Sequence, residues 1–345
     1  MALVLGTELE EEKSHIHHSI VVDEGQAPCR LDVFLATKIA AVSRNRIQEG
    51  IKQGFITVDD KQAKGSYKVQ PRERIVVRLP QPKRFGGIVP QDIPLDIYYE
   101  DEALLVVNKP AHMVVHPGHG NWEDTLVHAL CFHFSDLLGN FSSSERPGLV
   151  HRIDKGTSGL LVVAKTSEVL MHLAAQFAAH TTQRHYLALV WGEVKEAMGT
   201  IDMPVGRDKQ DRRIMRVYGK DEGVGKEAVT HYEVIERLGY VTLLRCRLET
   251  GRTHQIRAHM RYLGHPLFGD ERYGGARVVK GPRYAKYGAF VSNCFALLPH
   301  QALHAASLGF VHPTTGKKMR FDAAPPPAFE EVLARWRRYT DAYAL

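Results

Sequence analysis

Apolar residues at Leu31, Phe34, Leu35, Ile39 and Val42 recur with the spacing of one helix face. Ser43, a side chain suited to accept from the unpaired N–H groups at a helix start, predicts a second short helix carrying Ile47 and Ile51 and ending at Gly54. The period then shortens to two. FITVDDKQ reads as a strand, a turn at Asp59 and Asp60, and a returning strand, and RIVVRL over 74–79 reads as another. The stretch PQPKRFGGIVPQDIP, 80–94, is rich in Pro and Gly without periodicity, which predicts a linker. Past it, strands are expected over 103–108, 113–116, 159–164, 186–190, 228–235 and 241–248, with helices over 125–134, 167–180 and 254–263. Strands outnumber regular strand-helix-strand alternations. The class expected is therefore α+β: a small αα-β domain over 18–79, then a domain over 95–345 with a mixed, largely antiparallel sheet flanked by helices.

Composition agrees with two folded domains: 345 residues, 44% hydrophobic, bury a full core. No run approaches the roughly 18 to 20 apolar residues of a bilayer span, and the start, MALVLGTELEEEKSH, is too acidic for a signal peptide. A soluble, cytosolic monomer with no membrane partner is expected. Cys29, Cys131, Cys246 and Cys294 are scattered without a CxxC pair, which argues against a zinc site or a disulfide scaffold. The net charge is +6, and its distribution is uneven. Between Arg30 and Arg78, eleven Lys and Arg face five Asp and Glu, so this segment alone holds the excess and resembles a footprint for a phosphate backbone. On the second helix Arg44, Arg46 and Lys52 are placed to face phosphate while Ile47 and Ile51 face the core; an ordinary solvated basic face is the competing reading.

Several chemistries lack their residues. GKDEGVGKEA is no phosphate loop, because Gly219 lies six positions before Gly225 rather than five and Glu227 replaces the required hydroxyl. No GxGxxG follows a strand, and no GxSxG elbow occurs, so Thr157-Ser158-Gly159 has no claim to a nucleophile. Nineteen histidines invite a metal, but the nearest useful pair, His254 and His259, is five apart and falls on different faces of a helix or a strand.

What remains is HRIDKGTSGLLVVAK, 151–165, where one acid, Asp154, stands between Arg152 and Lys155 ahead of an apolar run. A turn cap or salt bridge is the ordinary explanation for such a residue. Here the following GLLVVA is apolar enough to tether the turn to the core, and no other acid lies between Glu145 and Glu168. A two-carboxylate glycosidase arrangement therefore has no local support. LETGRTHQIRAHMRYLGHPLFGDERYGG offers permanent cations at Arg252, Arg257 and Arg261 to keep a buried acid ionised. RHYLALVWG sets Tyr186 in a strand as a flat face for a base.

HRIDKGTSGLLVVAK resembles the signature of the RluA/RluD family of pseudouridine synthases, with Asp154 on that family's catalytic aspartate. RHYLALVWG resembles its tyrosine motif, with Tyr186 on the residue that packs against the target uracil, and LETGRTHQIRAH its arginine motif, with Arg252 on the aspartate's partner. Residues 30–78 are similar to an S4 RNA-binding module, and the segment around Asn121 and Trp122 is most like the D-type enzymes of large-subunit ribosomal RNA. His300 departs from the pattern, where the family leads one to expect Arg. The resemblance implies isomerisation of uridine to pseudouridine in ribosomal RNA or a pre-ribosomal large subunit, with no cofactor and no metal. The N1–C1′ bond breaks, the uracil turns and is rejoined through C5, and Asp154 acts either as nucleophile or as base and charge stabiliser. Backbone contacts by the S4-like region and by Arg152 would help offset the cost of extruding the base, and His151 would assist beside Asp154.

Overall fold

A computed structural model of the chain describes residues 15–39, 44–80, 88–118, 120–135, 137, 140–141 and 147–343. The chain divides into two compact units, residues 1–86 and 87–345.

In the first unit β1 (His15–Val21) precedes helices α1 (Leu31–Lys38) and α2 (Arg44–Lys52), followed by β2 (Ile56–Val58), β3 (Lys61–Gln62) and β4 (Arg74–Pro80). The sheet runs β1-β4-β2-β3 with every pairing antiparallel. Asp59 and Asp60 join β2 to β3 with φ of 47° and 61°, the left-handed pair that suits a two-residue hairpin. The apolar face read from the sequence is the core: Leu31, Phe34, Leu35 and Ile39 pack with Ile47 and Ile51 against Ile56, Val58, Ile75 and Val77. Val42 and Ser43 lie outside the described residues.

In this unit Arg44 also has a structural partner. Asp32 is fully buried, and its carboxylate accepts from Arg30, from Gln48 and from Arg44 Nε and Nη2 at 3.1 and 2.9 Å. The Arg30 hydrogen bond is the main cause that holds this carboxyl far below the usual carboxylate range. Arg44 thus fastens α2 to α1 while half of its side chain stays exposed, which leaves the expected phosphate contact open to it. Lys52 is exposed, and the side chain of Arg46 lies outside what the structure describes.

The second unit contains β5 (Ile97–Glu100), β6 (Leu104–Lys109), α3 (Leu126–His133), β7 (Ser158–Ala164), α4 (Ser167–Ala178), β8 (Gln183–Trp191), β9 (Met198–Asp202), β10 (Val205–Arg207), β11 (Met215–Val217), β12 (Val229–Leu238), β13 (Val241–Leu248), α5 (Gln255–Tyr262), α6 (Ala285–Leu297), β14 (Leu303–Val311), β15 (Lys318–Asp322) and α7 (Pro327–Tyr343). The large sheet is ordered β5-β6-β7-β14-β8-β13-β12-β9, with β15 also on β14. Its pairings are antiparallel except the one between β7 and β14. Every residue of β7 is buried, as its unbroken apolar run demands. Helix α4 covers β6, β7 and β14 through Val169 and Leu173. Helices α6 and α7 close a second core around Trp191, Phe268, Tyr287 and Trp336.

Two expectations are corrected here. Residues 113–116 form no strand: the carbonyls of Val114 and Val115 accept from Leu126 and Val127 N–H at 2.8 and 3.1 Å, so this backbone caps the start of α3 instead of joining the sheet. The stretch expected as a linker also ends early. Ile88 is buried, Gln91 N–H donates to His128 O at 3.1 Å, and the Gln91 amide pairs with Asp124. Residues 81–87 of that stretch lie outside the described residues.

Candidate active site

The Asp154 turn is fastened from several directions before it enters β7. Thr157 N–H closes it on the Asp154 carbonyl at 3.0 Å, and Gln301 Nε2 donates to Thr157 Oγ1 at 3.2 Å. Ser158 Oγ lies 2.9 Å from His304 Nδ1, both buried. Strands β7 and β14 pair only at Ser158 with His304 and Gly159 with Ala305. Gly159 has φ of 115°, and a Cβ there would sit 2.3 Å from the Ala305 carbonyl oxygen, so no other residue fits. The Thr-Ser-Gly step is therefore a clasp, in keeping with the absence of a nucleophile elbow.

Lys109, at the end of β6, completes the clasp and was not singled out from the sequence. It is 1% exposed, and its Nζ donates to the carbonyls of Pro110 at 2.6 Å, Met113 at 2.8 Å and Lys155 at 3.4 Å. Burial pushes it down to about 7, against the pull of Asp154. Its sequence signal is a lysine ending the apolar run LLVVNK, where a charge has to find acceptors. Lys109→Met should lower the rate of catalysis at least about 10-fold in a protein that still folds, since the turn carrying Asp154 loses a tether. Steady-state rates alongside circular dichroism check this, and a wild-type rate would remove Lys109 from the site.

Asp154 meets its cation from α5. Arg257 Nη1 donates to Asp154 Oδ2 at 2.9 Å, while its Nε and Nη2 clasp Asp270 at 2.7 and 2.9 Å. The guanidinium also lies over the Tyr273 ring, 4.8 Å from the centroid. Burial opposes ionisation of Asp154, but the charges of His254, Arg257 and Arg152 outweigh it and hold the carboxyl below its ordinary value. Burial keeps His254 itself below its usual value, so at neutral pH the permanent charge in direct contact is Arg257.

The expected partner, Arg252, is not the one in contact. Its Nε donates to the Glu227 carbonyl at 3.0 Å, and it lines the wall of the cleft. The reason is local: α5 begins at Gln255, so Arg252 stays in the preceding loop, whereas Arg257 falls in the first turn, facing inward at 5% exposure. Asp270 is a second carboxylate near Asp154, but it is 1% exposed and occupied by Arg257 and by Tyr273 N–H. It neutralises the arginine and offers no second acid for a hydrolase.

Tyr186 projects from β8 at 7% exposure, on a strand held between Cys246 of β13 and Ala305 of β14. Burial raises its hydroxyl above the ordinary value, and Arg184 opposes that rise. Arg184, two residues earlier on the same strand, is another side chain that sequence reading missed. It is 6% exposed, donates to the Glu249 carbonyl at 3.1 Å and lies 5.2 Å from the Phe177 ring centroid. Its signal was the period-two spacing from Tyr186, which puts both on one strand face. Asp154, Tyr186, Arg184, Arg252 and Arg257 line one cleft of about 510 Å³.

Of the flanking residues, His151 is structural. Its Nε2 accepts from Val162 N–H at 3.2 Å, its ring stacks on Phe177, and burial pushes it down to about 3. Arg152 is exposed at the rim between this cleft and a second one of about 430 Å³. His300 lines that second cleft with its ring edge-on to His112, 4.7 Å between centroids. Among the described residues no group of three or more His, Cys, Asp or Glu side chains could hold a metal ion, and no helix is long and apolar enough to cross a membrane.

With this geometry in view, comparison with known proteins is decisive. Residues 103–262 match the family model described as RNA pseudouridylate synthase, and residues 29–75 that of the S4 domain. An uncharacterized RNA pseudouridine synthase of Bacillus subtilis is 43% identical over 319 residues, 92% of this chain and 98% of that protein. The chain belongs to the RNA pseudouridine synthase family. Proteins named ribosomal large subunit pseudouridine synthase D from Zymomonas mobilis and Nitrosomonas europaea are 44% and 43% identical, covering 89% and 91% of this chain and 93% and 86% of their own. The solved structure of human RNA pseudouridylate synthase domain containing 1 aligns with a TM-score of 0.52 at 26% identity, over 73% of this chain and 90% of that one. The synthase therefore pairs an N-terminal S4 domain with a catalytic unit whose matched segment spans β6 to α5, bringing in Asp154, Tyr186 and Arg257 together.

Proposed function

We propose that this synthase converts specific uridines of large-subunit ribosomal RNA to pseudouridine, with residues 18–79 gripping RNA and residues 95–345 performing the isomerisation. The observation that carries the reading is the state of Asp154. Its carboxylate is held ionised, one oxygen is bound by Arg257, and it lines the same cleft as a strand-borne aromatic. A fixed carboxylate is suited to attack C1′ or to stabilise positive charge there as the N1–C1′ bond breaks. Bonds are exchanged without oxidation or hydrolysis, so the reaction calls on no redox group. Tyr186 then offers its face to the detached uracil so that the ring turns in place, and the proton lost from C5 passes to solvent.

The choice of ribosomal RNA rests on the relatives named for the large ribosomal subunit and on the basic S4 domain. Exposed Lys52 and Arg152 supply backbone contacts, which set register more than sequence. Arg46 is assigned the same role from its place on α2. Tritium release from C5-labelled RNA tests the substrate. Release is expected from large-subunit ribosomal RNA transcripts and not from transfer RNA, and the reverse pattern would overturn the assignment. No release from either would overturn the enzyme reading itself.

A further inference from the structure

The chemistry described so far leaves one polar side chain at the carboxylate without a task. His254 occupies the N-cap of α5 with φ of 53°, a left-handed backbone that is unfavourable for a residue with a full side chain. It makes no capping bond with that side chain. Instead the ring lies against the acid: Nε2 is 3.8 Å from Asp154 Oδ1, the oxygen that Arg257 does not bind, and Nδ1 is 3.0 Å from the Tyr273 hydroxyl.

The Tyr273 hydroxyl favours one ring nitrogen as the holder of the proton. Its oxygen already accepts from Met215 N–H at 2.8 Å, so its own hydrogen is available for His254 Nδ1. A ring that accepts at Nδ1 carries its proton on Nε2, facing the carboxylate. The opposite tautomer would set the Nε2 lone pair against the lone pairs of Asp154. We infer that His254, held as the Nε2–H tautomer by Tyr273, is a positioning residue for the synthase, supplying a hydrogen-bond donor to the free oxygen of Asp154 opposite the one held by Arg257.

The separation of 3.8 Å is too long for a hydrogen bond in the free protein. It is short enough to close when substrate expels water, as catalytic contacts commonly do. A carboxylate gripped at both oxygens is fixed in rotation, whereas one held only by Arg257 swings about its Cβ–Cγ bond. The charged groups facing His254 are Asp154 and Asp270 on one side of the balance and Arg257 and Arg272 on the other, while burial favours the neutral ring. The backbone cost of the left-handed cap is explained by this aim of the ring.

The inference rests on the proposed role of Asp154, and two measurements keep the two apart. Nitrogen-15 spectra of histidine-labelled protein report the tautomer without any turnover: a protonated Nε2 and bare Nδ1 at His254 are expected, and a protonated Nδ1 would overturn the inference. In Asp154→Asn the Nε2–H signal should shift, which a ring serving only the helix cap would not show. His254→Asn keeps a residue tolerant of the left-handed cap but cannot reach the acid. It should lower kcat about 100-fold with KM within about twofold, and His254→Gln, whose amide reaches further, should recover part of the loss. Unchanged kcat in His254→Asn, with an active wild type, would sink the inference and leave the enzyme reading intact. An inactive wild type would sink the enzyme reading while the tautomer remained to be read from the spectra.

Discussion

Replacing Asp154 by alanine is expected to reduce pseudouridine formation by at least about 10³-fold while leaving the fold and RNA affinity in place. The side chain is held from the α5 side and is tucked into the turn before β7, but it does not belong to an apolar core. Its removal costs one ion pair and opens no large cavity. The loss therefore falls on the chemical step. Arg257 keeps Asp270, to which it is bound through two nitrogens, so the variant leaves no orphaned charge. Tritium release from C5-labelled ribosomal RNA, with binding followed separately by filter retention, measures both quantities. Retained release in Asp154→Ala would remove the carboxylate from the mechanism.

The second large effect belongs to Arg257. Arg257→Met is expected to destabilise the catalytic unit by about 3–5 kcal/mol, because a desolvated carboxylate at Asp270 and a partly buried one at Asp154 lose their shared counter-charge together. In the intact protein Asp154 sits below its ordinary value, so its stabilisation is present above the normal carboxylate range and disappears only as pH falls through that lower value. Without Arg257 the burial cost dominates and the carboxyl moves upward. Loss of activity on the acid side should then begin at higher pH than in the wild type. Arg252→Ala makes the contrast, since that guanidinium bonds only to a carbonyl among the contacts described and lines the cleft wall. Its effect should appear in KM for RNA with the acid limb unmoved. Thermal denaturation and pH–rate profiles of the two variants decide between the arginines, and an acid limb shifted by Arg252→Ala but not by Arg257→Met would reverse the assignment.

Much of the fold was legible because local rules govern it. The α1 and α2 apolar faces, the Asp59-Asp60 hairpin and the buried β7 are each written in a few adjacent residues, and the structure places them where period and turn chemistry do. Elements whose signal is weak or shared were harder. Residues 113–116 carry β-branched residues but spend their carbonyls on the start of α3. Helix α7 buries Phe329, Val332, Leu333, Trp336 and Tyr339 at helical spacing, a pattern that was open to reading and passed over. Strand β1 is rich in histidine and finds its place only by pairing with β4.

Within the site, sequence alone determined the inventory: a solitary acid ahead of a buried strand, an aromatic on another strand and three arginines far along the chain. It could not choose among those arginines. Arg252, Arg257 and Arg261 differ by position in a segment whose helix begins at Gln255, and only the direction of that helix sends the second of them to Asp154 while Asp270 returns to balance it. Lys109 and His254 acquire their tasks the same way, from the Lys155 carbonyl and the Tyr273 hydroxyl that the fold brings to them. Periodicity and turn chemistry are properties of neighbours in the chain, whereas the strength and direction of an ion pair depend on distance in space and on how little water remains between the charges.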